Sequence, residues 1–360
     1  MNIAIFGGLG HIGLTLSLKL VERGHNIAII DVNDVAIKKF LFEEKANFDE
    51  PGIDAIIKNS REHMSITKVF PQYPFDAIIV ATSELDINQL LLTSCVNQEI
   101  PILVRQTVKI GTINSLIEKG WNVCYIPERI AQGKAWKELD TLPQIITVDP
   151  NMRTTAHIIA KKIFDWVKII GLTHAEGELA KIYTNFYRYG HFALVNQMWM
   201  NSLHHGINFS RIRKAMMDNY PRCKDMPKAG WSGGYCLPKD TQYLVEDTCP
   251  LAADALSVNN RVFPVVLSIQ INRYLKEGKS VGILGVSAMP DIEEWRGSLK
   301  EKLFPLLEGD YIYPDPFDED NSSVRSFKEA VACEVIVIGI PHSMYSNIDT
   351  KGKIVINSWS

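Results

Sequence analysis

Residues 2–24 read NIAIFGGLGHIGLTLSLKLVERG: a short apolar run, a glycine-rich loop, and an amphipathic segment that ends at a glycine. This order predicts a β-strand, a tight turn and an α-helix. The glycines of the G-x-G-x-x-G motif allow the turn and the close approach of a pyrophosphate, and the helix N-terminus offers unpaired N–H groups to that anion. We therefore predict a dinucleotide site at Gly8, Gly10, His11, Ile12 and Gly13.

An acidic residue after the next apolar run indicates which dinucleotide binds. Residues 26–30 predict a second strand, and Asp31 follows it, 18 residues after Gly13. A carboxylate there can accept hydrogen bonds from both ribose hydroxyls and would repel a 2′-phosphate, so we predict NAD rather than NADP. A glycine-rich turn without a ligand is the alternative, and the flanking strand, helix and acid disfavour it.

Length and composition limit the classes of function. A chain of 360 residues is too long to fold around a single hydrophobic core, so two or three domains are expected. The net charge is −3 without long basic runs, which predicts small-molecule partners and no nucleic acid or membrane surface. The six cysteines form neither C-x-x-C pairs nor a dense scaffold, which predicts no metal site and a reduced, cytoplasmic setting. The N-terminus does not resemble a signal peptide, and no apolar stretch approaches the ~18 residues of a membrane span.

Apolar runs alternate with helical segments over about the first 170 residues, which predicts an α/β fold with a Rossmann-like, doubly wound, mostly parallel sheet. Further strands are predicted at residues 75–81, 100–105, 121–126 and 144–148. Polar clusters at 105–112 and 127–134 follow two of these strands, where open sheets bind ligands. Glu128 is thus a candidate site residue, and a surface carboxylate paired with Arg129 is the alternative.

Residues 176–205 contain no proline and are rich in apolar side chains, which predicts one long, largely buried helix. Lys181, Asn185 and Arg188 are spaced four and three residues apart and so share one face of it. This amine, amide and guanidinium form either a functional cluster or a hydrated stripe. The apolar content of the segment favours the cluster because it leaves little surface for hydration.

Residues 230–240 read GWSGGYCLPKD and place one cysteine between a flexible backbone and two charged side chains. Gly233 and Gly234 allow a sharp turn and close approach to a ligand, and the lysine and aspartate that follow supply charge near the thiol of Cys236. This pattern predicts a nucleophile. A buried cysteine in a turn is the alternative.

Several motifs, in this order and spread over nearly the whole chain, resemble those of the UDP-glucose/GDP-mannose dehydrogenase family. The resemblance rests on Gly8–Gly13, Glu50-Pro51-Gly52-Ile53, Gln106-Thr107-Val108 with Gly111-Thr112, Pro127-Glu128-Arg129-Ile130 with Gly133, Glu178-Leu179-Ala180-Lys181 with Asn185 and Arg188, residues 233–240, Ile283-Leu284-Gly285, Arg296-Gly297-Ser298, Asp315-Pro316 and Pro341-His342. Single motifs of this kind are weak, whereas their ordered spacing is specific.

The resemblance implies three domains: an NAD-binding domain at 1–172, a helical middle region at 173–277, and a smaller C-terminal α/β domain at 278–360 that binds a nucleotide sugar. It also implies a homodimer formed through the middle helices. The implied reaction oxidises the C6 alcohol of a UDP-sugar to a carboxylic acid with two NAD and one water.

The resemblance also implies roles for individual residues. Cys236 would trap the aldehyde as a thiohemiacetal and then carry a thioester. Lys181 would stabilise the thiolate or an oxyanion, Asp240 and Asn185 would position water and that lysine, and Glu128 would be the general base. The cofactor would also contact Thr82 and Thr107. The substrate would contact Arg129, Arg188, Gly233, Gly234, Arg261 and Arg296.

The motifs resemble two branches of the family that differ in substrate. Residues 127–133 are similar to the UDP-N-acetylhexosamine branch, whereas Pro-Lys-Asp at 238–240 is similar to the UDP-glucose branch. We favour a UDP-N-acetylhexosamine because Glu128 and Arg129 would lie beside the sugar, where a 2-acetamido group needs a polar partner.

The chain departs from the family pattern at Ser83, Gln106, Gln197, Ala288-Met289 and Asn357. Met289 stands where the family has a lysine, so contacts to the nucleotide sugar are expected to differ. Two alternatives follow. A two-electron dehydrogenase of the hydroxyacid type would use Lys181 and Asn185 without the cysteine, and a catalytically silent homologue would bind nucleotide without turnover.

Overall fold

The computed structural model describes residues 1–72, 74–83, 86–149, 154–247, 249–318 and 324–359, without the side chains of 324 and 325. The chain divides into two compact units, Met1–Ile182 and Tyr183–Ser360. The boundary falls inside one long helix, which contributes residues to both units. The predicted three-part division stays a prediction.

The first unit alternates strands and helices, as predicted. Its elements are β1 (Asn2–Phe6), α1 (His11–Glu22), β2 (Asn26–Ile30), α2 (Asp34–Lys38), α3 (Ile53–Ser60), β3 (Met64–Thr67), β4 (Ala77–Val80), α4 (Ile87–Thr93), β5 (Ile102–Val104), α5 (Thr112–Glu118), β6 (Val123–Tyr125), α6 (Ala135–Thr141), β7 (Gln144–Thr147), α7 (Thr155–Ile163), β8 (Ile169–Leu172) and the start of α8 (His174–His204).

Six strands form one parallel sheet in the order β3-β2-β1-β4-β5-β6. The order reverses between β1 and β4, which is the switch point of a Rossmann-like sheet where ligands bind. The predicted strand at 144–148 pairs instead with β8, in a separate two-stranded parallel sheet.

Apart from the edge strand β3, the strands of this sheet are mostly apolar and buried because helices cover both faces. In β1, Ile3 and Ile5 join one buried cluster, whereas Ala4 and Phe6 join the cluster on the opposite face. All four side chains are at most 3% exposed. The period of two along the strand thus fixes which residues reach each helical layer.

The second unit combines helices with a small sheet. Its elements are the rest of α8, α9 (Phe209–Met217), α10 (Cys236–Glu246), α11 (Pro250–Ser257), α12 (Phe263–Lys276), β9 (Val281–Leu284), α13 (Leu299–Leu303), α14 (Val324–Ala332), β10 (Val335–Ile338) and β11 (Ile354–Asn357). The sheet is parallel, in the order β11-β10-β9.

The long central helix and the small C-terminal sheet confirm the predicted fold class. A π-helical turn at Val258–Val262 separates α11 from α12. Beside β9, Ile312 forms a single parallel bridge with Gly282 outside the named strands. Across the described ranges, each helix is either too short or too polar to cross a membrane.

Candidate active site

The glycine loop between β1 and α1 is packed too closely to accept side chains at two of its glycines. A Cβ at Gly13 would overlap the carbonyl oxygen of Gly7, which itself has a φ of +71°. A Cβ at Gly8 would lie 2.9 Å from the Ile29 side chain. Among the described residues, no side chain caps the first turn of α1 at Gly10, so its N–H groups are available to an anion.

Asp31 lies beside this loop at the carboxyl end of β2. Its Oδ2 accepts a hydrogen bond from the Leu9 N–H at 2.9 Å, and its Oδ1 accepts one from the Asn33 N–H at 3.0 Å. The half-buried carboxylate therefore links the strand end to the loop. The contact of Asp31 with a ribose beside the pyrophosphate stays a prediction.

His11 and Ile12 begin α1, and both are half-buried. The His11 Nε2 lies 3.2 Å from the carboxylate of Glu50, a buried residue that the sequence analysis did not place in the site. Glu50 also accepts hydrogen bonds from the N–H groups of Gly133, at 2.8 Å, and Trp136, at 3.2 Å. Glu50 thus joins the start of α1 to the start of α6, and its Glu-Pro-Gly-Ile motif was the available signal.

Thr82 and Gln106 connect the ends of two neighbouring strands. The Thr82 hydroxyl donates to the Gln106 Oε1 at 2.6 Å, across the carboxyl ends of β4 and β5. Thr107, half-buried, follows in the same segment. The structure therefore places both predicted threonines at the edge of the sheet that also carries Asp31.

Glu128 is buried in an ion pair with Arg105, which is 0% exposed. Its Oε1 also accepts hydrogen bonds from the backbone N–H groups of Arg129, at 2.7 Å, and Ile130, at 2.9 Å. Burial opposes ionisation, but the guanidinium and the N–H groups outweigh it and hold the pKa of Glu128 below its ordinary value. These contacts favour a structural role, and the role of general base stays a prediction.

The alternative of a surface pair between Glu128 and Arg129 is wrong. The Arg129 guanidinium donates instead to the carbonyl oxygen of Pro143, and the side chain is half-buried. Arg129 is therefore anchored near the end of α6, and its predicted substrate contact stays a prediction.

The helix face that carries Lys181, Asn185 and Arg188 is partly buried. Lys181 is 8% exposed and Asn185 is 5% exposed, whereas Arg188 lies at the surface. One turn before Lys181, the buried Glu178 accepts hydrogen bonds from the N–H groups of Gly111, at 2.7 Å, and of the first turn of α5. The alternative of a hydrated stripe is therefore wrong for Lys181 and Asn185, which are buried, whereas it describes the exposed Arg188.

Cys236 is exposed and occupies the first position of α10. The positive end of a helix dipole favours a thiolate there. One turn later, Asp240 is 0% exposed and accepts a hydrogen bond at 2.6 Å from the amide of Asn185. The Lys239 ammonium lies 3.1 Å from the same carboxylate. The alternative of a buried cysteine in a turn is therefore wrong.

The loop before α10 requires its glycines. A Cβ at Gly233 would overlap the Trp231 indole and the carbonyl oxygen of Gly297, and Gly234 has a φ of +88°. The Trp231 Nε1–H donates to the same carbonyl at 3.1 Å. The structure therefore brings the glycine pair and the Arg296-Gly297-Ser298 motif together within the second unit.

The two remaining arginines of the prediction differ in their surroundings. Arg296 donates from Nε and Nη2 to the two carboxylate oxygens of the buried Glu294, at 2.9 and 2.6 Å, and stacks over the Tyr235 ring. Arg261 is exposed on the π-helical turn and donates to the Ser257 hydroxyl at 3.0 Å. The described residues contain no cluster of three metal-ligating side chains.

Comparison with known proteins identifies the class. Residues 1–84 match the NAD binding domain of the UDP-glucose/GDP-mannose dehydrogenase family, and residues 175–261 match its central domain. The chain belongs to this family, and its cofactor is NAD.

Individual relatives span nearly the same length. The chain is 25% identical to the UDP-N-acetyl-D-mannosamine dehydrogenase of Methanocaldococcus jannaschii, over 96% of this chain and 86% of that protein. It is 24% identical to the UDP-glucose 6-dehydrogenase of Rickettsia prowazekii, over 97% and 91%. The solved UDP-D-ManNAc dehydrogenase of Pyrococcus horikoshii superposes with a TM-score of 0.85 at 21% identity, covering 100% of this chain and 96% of that one. The last similarity shows a shared fold.

Proposed function

We propose that this protein is an NAD-dependent UDP-sugar 6-dehydrogenase that oxidises a C6 alcohol to a carboxylic acid through a covalent adduct on Cys236. The observation that carries the proposal is an exposed thiol at the first turn of α10, in the motif at 233–240, in a chain of this family. The residues around the glycine loop fit the cofactor because glycines allow the closely packed turn and the first turn of α1 has N–H groups without a side-chain cap.

Each NAD, when bound, accepts a hydride, so the complete oxidation takes two NAD and one water. The Cys236 thiolate attacks C6 of the aldehyde, the S–C bond forms, and the carbonyl oxygen takes up a proton. Oxidation of this thiohemiacetal gives a thioester. Water then attacks the thioester carbon, the S–C bond breaks, and the acid leaves with regeneration of the thiol.

We assign the supporting roles to the polar groups of α8 and α10. Asp240, held by Asn185, would orient the water that cleaves the thioester. Lys181 would stabilise the oxyanion. Arg188, Arg261, Arg296 and the glycine pair at 233–234 would contact the nucleotide sugar, with Arg129 beside the sugar and Thr107 beside the cofactor.

For the sugar we propose a UDP-N-acetylhexosamine. The similarity to the Methanocaldococcus jannaschii enzyme supports this choice, and the similarity to the Rickettsia prowazekii enzyme makes UDP-glucose the second candidate. The polar Pro-Glu-Arg segment at 127–129 offers partners for a 2-acetamido group.

The test counts NADH formed per sugar. The purified protein is incubated with NAD and limiting UDP-N-acetylmannosamine, UDP-N-acetylglucosamine or UDP-glucose, and products are identified by mass spectrometry. We expect two NADH per sugar and a carboxylic acid. One NADH with an aldehyde or ketone would support the two-electron alternative, and calorimetric binding without turnover would support the silent homologue.

Cys236→Ser should abolish steady release of acid, and undiminished turnover in that variant would remove the cysteine from the mechanism.

We also propose a homodimer formed through the middle helices. Tyr183, Tyr187 and Leu194 lie on one face of α8 and are 52%, 58% and 56% exposed. A stripe of large apolar side chains at this spacing suits a helix that packs against another copy. Sedimentation velocity should show a dimer that Leu194→Glu weakens, and a monomeric wild-type protein would contradict the proposal.

We place the protein in the cytoplasm because all six cysteines are free thiols.

A further inference from the structure

Arg296 is fixed beside the residue that precedes the thiol. Its guanidinium makes two hydrogen bonds to the carboxylate of Glu294, and its backbone N–H donates a third at 2.9 Å. The guanidinium carbon lies 4.7 Å from the centre of the Tyr235 ring, and Tyr235 is bonded directly to Cys236. Glu294 is 8% exposed, so this exposed cation is held by a buried anion.

Arg296 interacts electrostatically with the sulfur at the first turn of α10. The hydrogen bond to Glu294 is the main reason why the pKa of Arg296 lies above its ordinary value, and the negative charges of ionised Cys236 and Tyr235 add to it. This interaction is reciprocal, so the guanidinium favours the thiolate to the same extent. Lys239 also faces this turn, but its ammonium is paired with the fully buried Asp240.

We propose that Arg296 is the group that stabilises the Cys236 thiolate, and that Glu294 is a positioning residue that holds Arg296 there. The inference rests on the proposed function, in which Cys236 is the nucleophile, and adds a second role to an arginine so far assigned to the substrate. The thiol loses its proton to solvent, and the resulting thiolate attacks the carbonyl carbon.

Alkylation tests the role of Arg296 without sugar or cofactor. Iodoacetamide reacts with the thiolate, forming an S–C bond and releasing iodide, and peptide mass spectrometry follows Cys236 separately from the exposed Cys95 as a function of pH. We expect Arg296→Gln to slow alkylation of Cys236 about threefold to fivefold at pH 7, since solvent screens an exposed cation. Cys95 should react at an unchanged rate. Arg273→Gln, at another exposed arginine, should leave both rates unchanged.

An unchanged Cys236 rate in Arg296→Gln would overturn the proposal, as would an equal loss in Arg273→Gln, which would indicate an effect of net charge. Unfolding cannot mimic the expected result, because it would expose the buried Cys124 to the reagent. If Cys236 alkylation responds to Arg296 but no UDP-sugar is oxidised, the thiolate assignment holds and the proposed function fails. If UDP-sugar is oxidised with no response to Arg296, the reverse is true.

A double-mutant cycle tests Glu294. A residue that acts through Arg296 should affect the thiol only when the arginine is present. We expect Glu294→Gln to slow alkylation of Cys236 in the wild-type background and to have no effect in the Arg296→Gln background. A direct effect of the Glu294 charge would instead speed alkylation equally in both backgrounds, and that result would overturn the positioning role.

Discussion

Glu128→Gln removes one charge from a buried ion pair while keeping the shape of the side chain. The variant separates the two roles that the residue could have. A structural carboxylate should affect the stability of the first unit, whereas a general base should affect only the cleavage of the thioester. Glu128 is 4% exposed and its partner Arg105 is 0% exposed, so neither charge can turn to solvent.

The expected loss follows from what the substitution leaves behind. Arg105 keeps a hydrogen bond to the Gln144 Oε1 at 3.1 Å but loses its only described carboxylate partner, so its charge stays buried without a counter-ion. Breaking a buried pair in this way costs about 3–5 kcal/mol. The glutamine oxygen can still accept from the Arg129 or Ile130 N–H, so we expect the lower end, about 3 kcal/mol.

Amide hydrogen exchange measures this loss of stability in the strands next to the ion pair. Amides of β5 and β6, which precede Arg105 and Glu128, should exchange about 100-fold faster in the variant, because each 1.4 kcal/mol is a factor of ten. Glu44→Gln is the matched control, since it makes the same change in an exposed pair with Arg61 and should cost under about 1 kcal/mol.

Two results would refute this reasoning. Exchange in β5 and β6 no faster in Glu128→Gln than in Glu44→Gln would show that the ion pair does not stabilise the unit. Normal stability together with a trapped thioester on Cys236, detected by mass spectrometry, would establish Glu128 as the base.

Three further outcomes are expected. Gly13→Ala should destabilise the first unit by about 1–3 kcal/mol and weaken NAD binding in calorimetry, because its Cβ would overlap Gly7; unchanged binding would contradict the close packing. Asp31→Ala should reduce the preference for NAD over NADP about tenfold or more in binding assays, and an unchanged preference would refute the ribose contact. Burial opposes ionisation of Asp315, but the contact with His342 and the hydrogen bonds from backbone N–H groups outweigh it and lower the pKa of Asp315. The ionised carboxylate therefore stabilises the folded protein at pH values above the ordinary aspartate pKa of about 4, and this stabilisation is lost as the pH falls below it. Asp315→Asn should therefore be about 2 kcal/mol less stable at pH 7 in urea unfolding, with the difference shrinking below pH 4; a constant difference would contradict the linkage.

The first unit could be predicted closely because its signals are local. The glycine motif, the strand before it and Asp31 lie within about thirty residues, and each contributes through its own backbone or through the adjacent loop. The long helix was equally clear, since apolar residues without proline extend over the whole of α8.

Long-range pairing could not be predicted from such signals. The strand β7 has the same apolar character as the strands of the main sheet, yet it pairs with β8. The π-helical turn at Val258–Val262 depends on distant partners: the buried Asn259 donates to the Tyr189 carbonyl at 3.0 Å and accepts from the Asn196 amide at 2.9 Å. Asn196 also exchanges hydrogen bonds with both backbone groups of Gly230. This buried hydrogen-bond network supports the loop that leads to Cys236. The spacing of apolar residues along the sequence does not predict such long-range hydrogen bonds.

The acids of the motifs separate into two groups once their partners are known. Glu50, Glu178 and Asp315 are buried and accept hydrogen bonds from backbone N–H groups of segments far along the chain, as a structural carboxylate does. Glu128 combines such bonds with a buried cation. Asp240 is also buried, and its carboxylate contacts two side chains, the Asn185 amide and the Lys239 ammonium, one turn after the exposed thiol of Cys236. The position of Asp240 one turn after the thiol supports the role that we propose for it in orienting water.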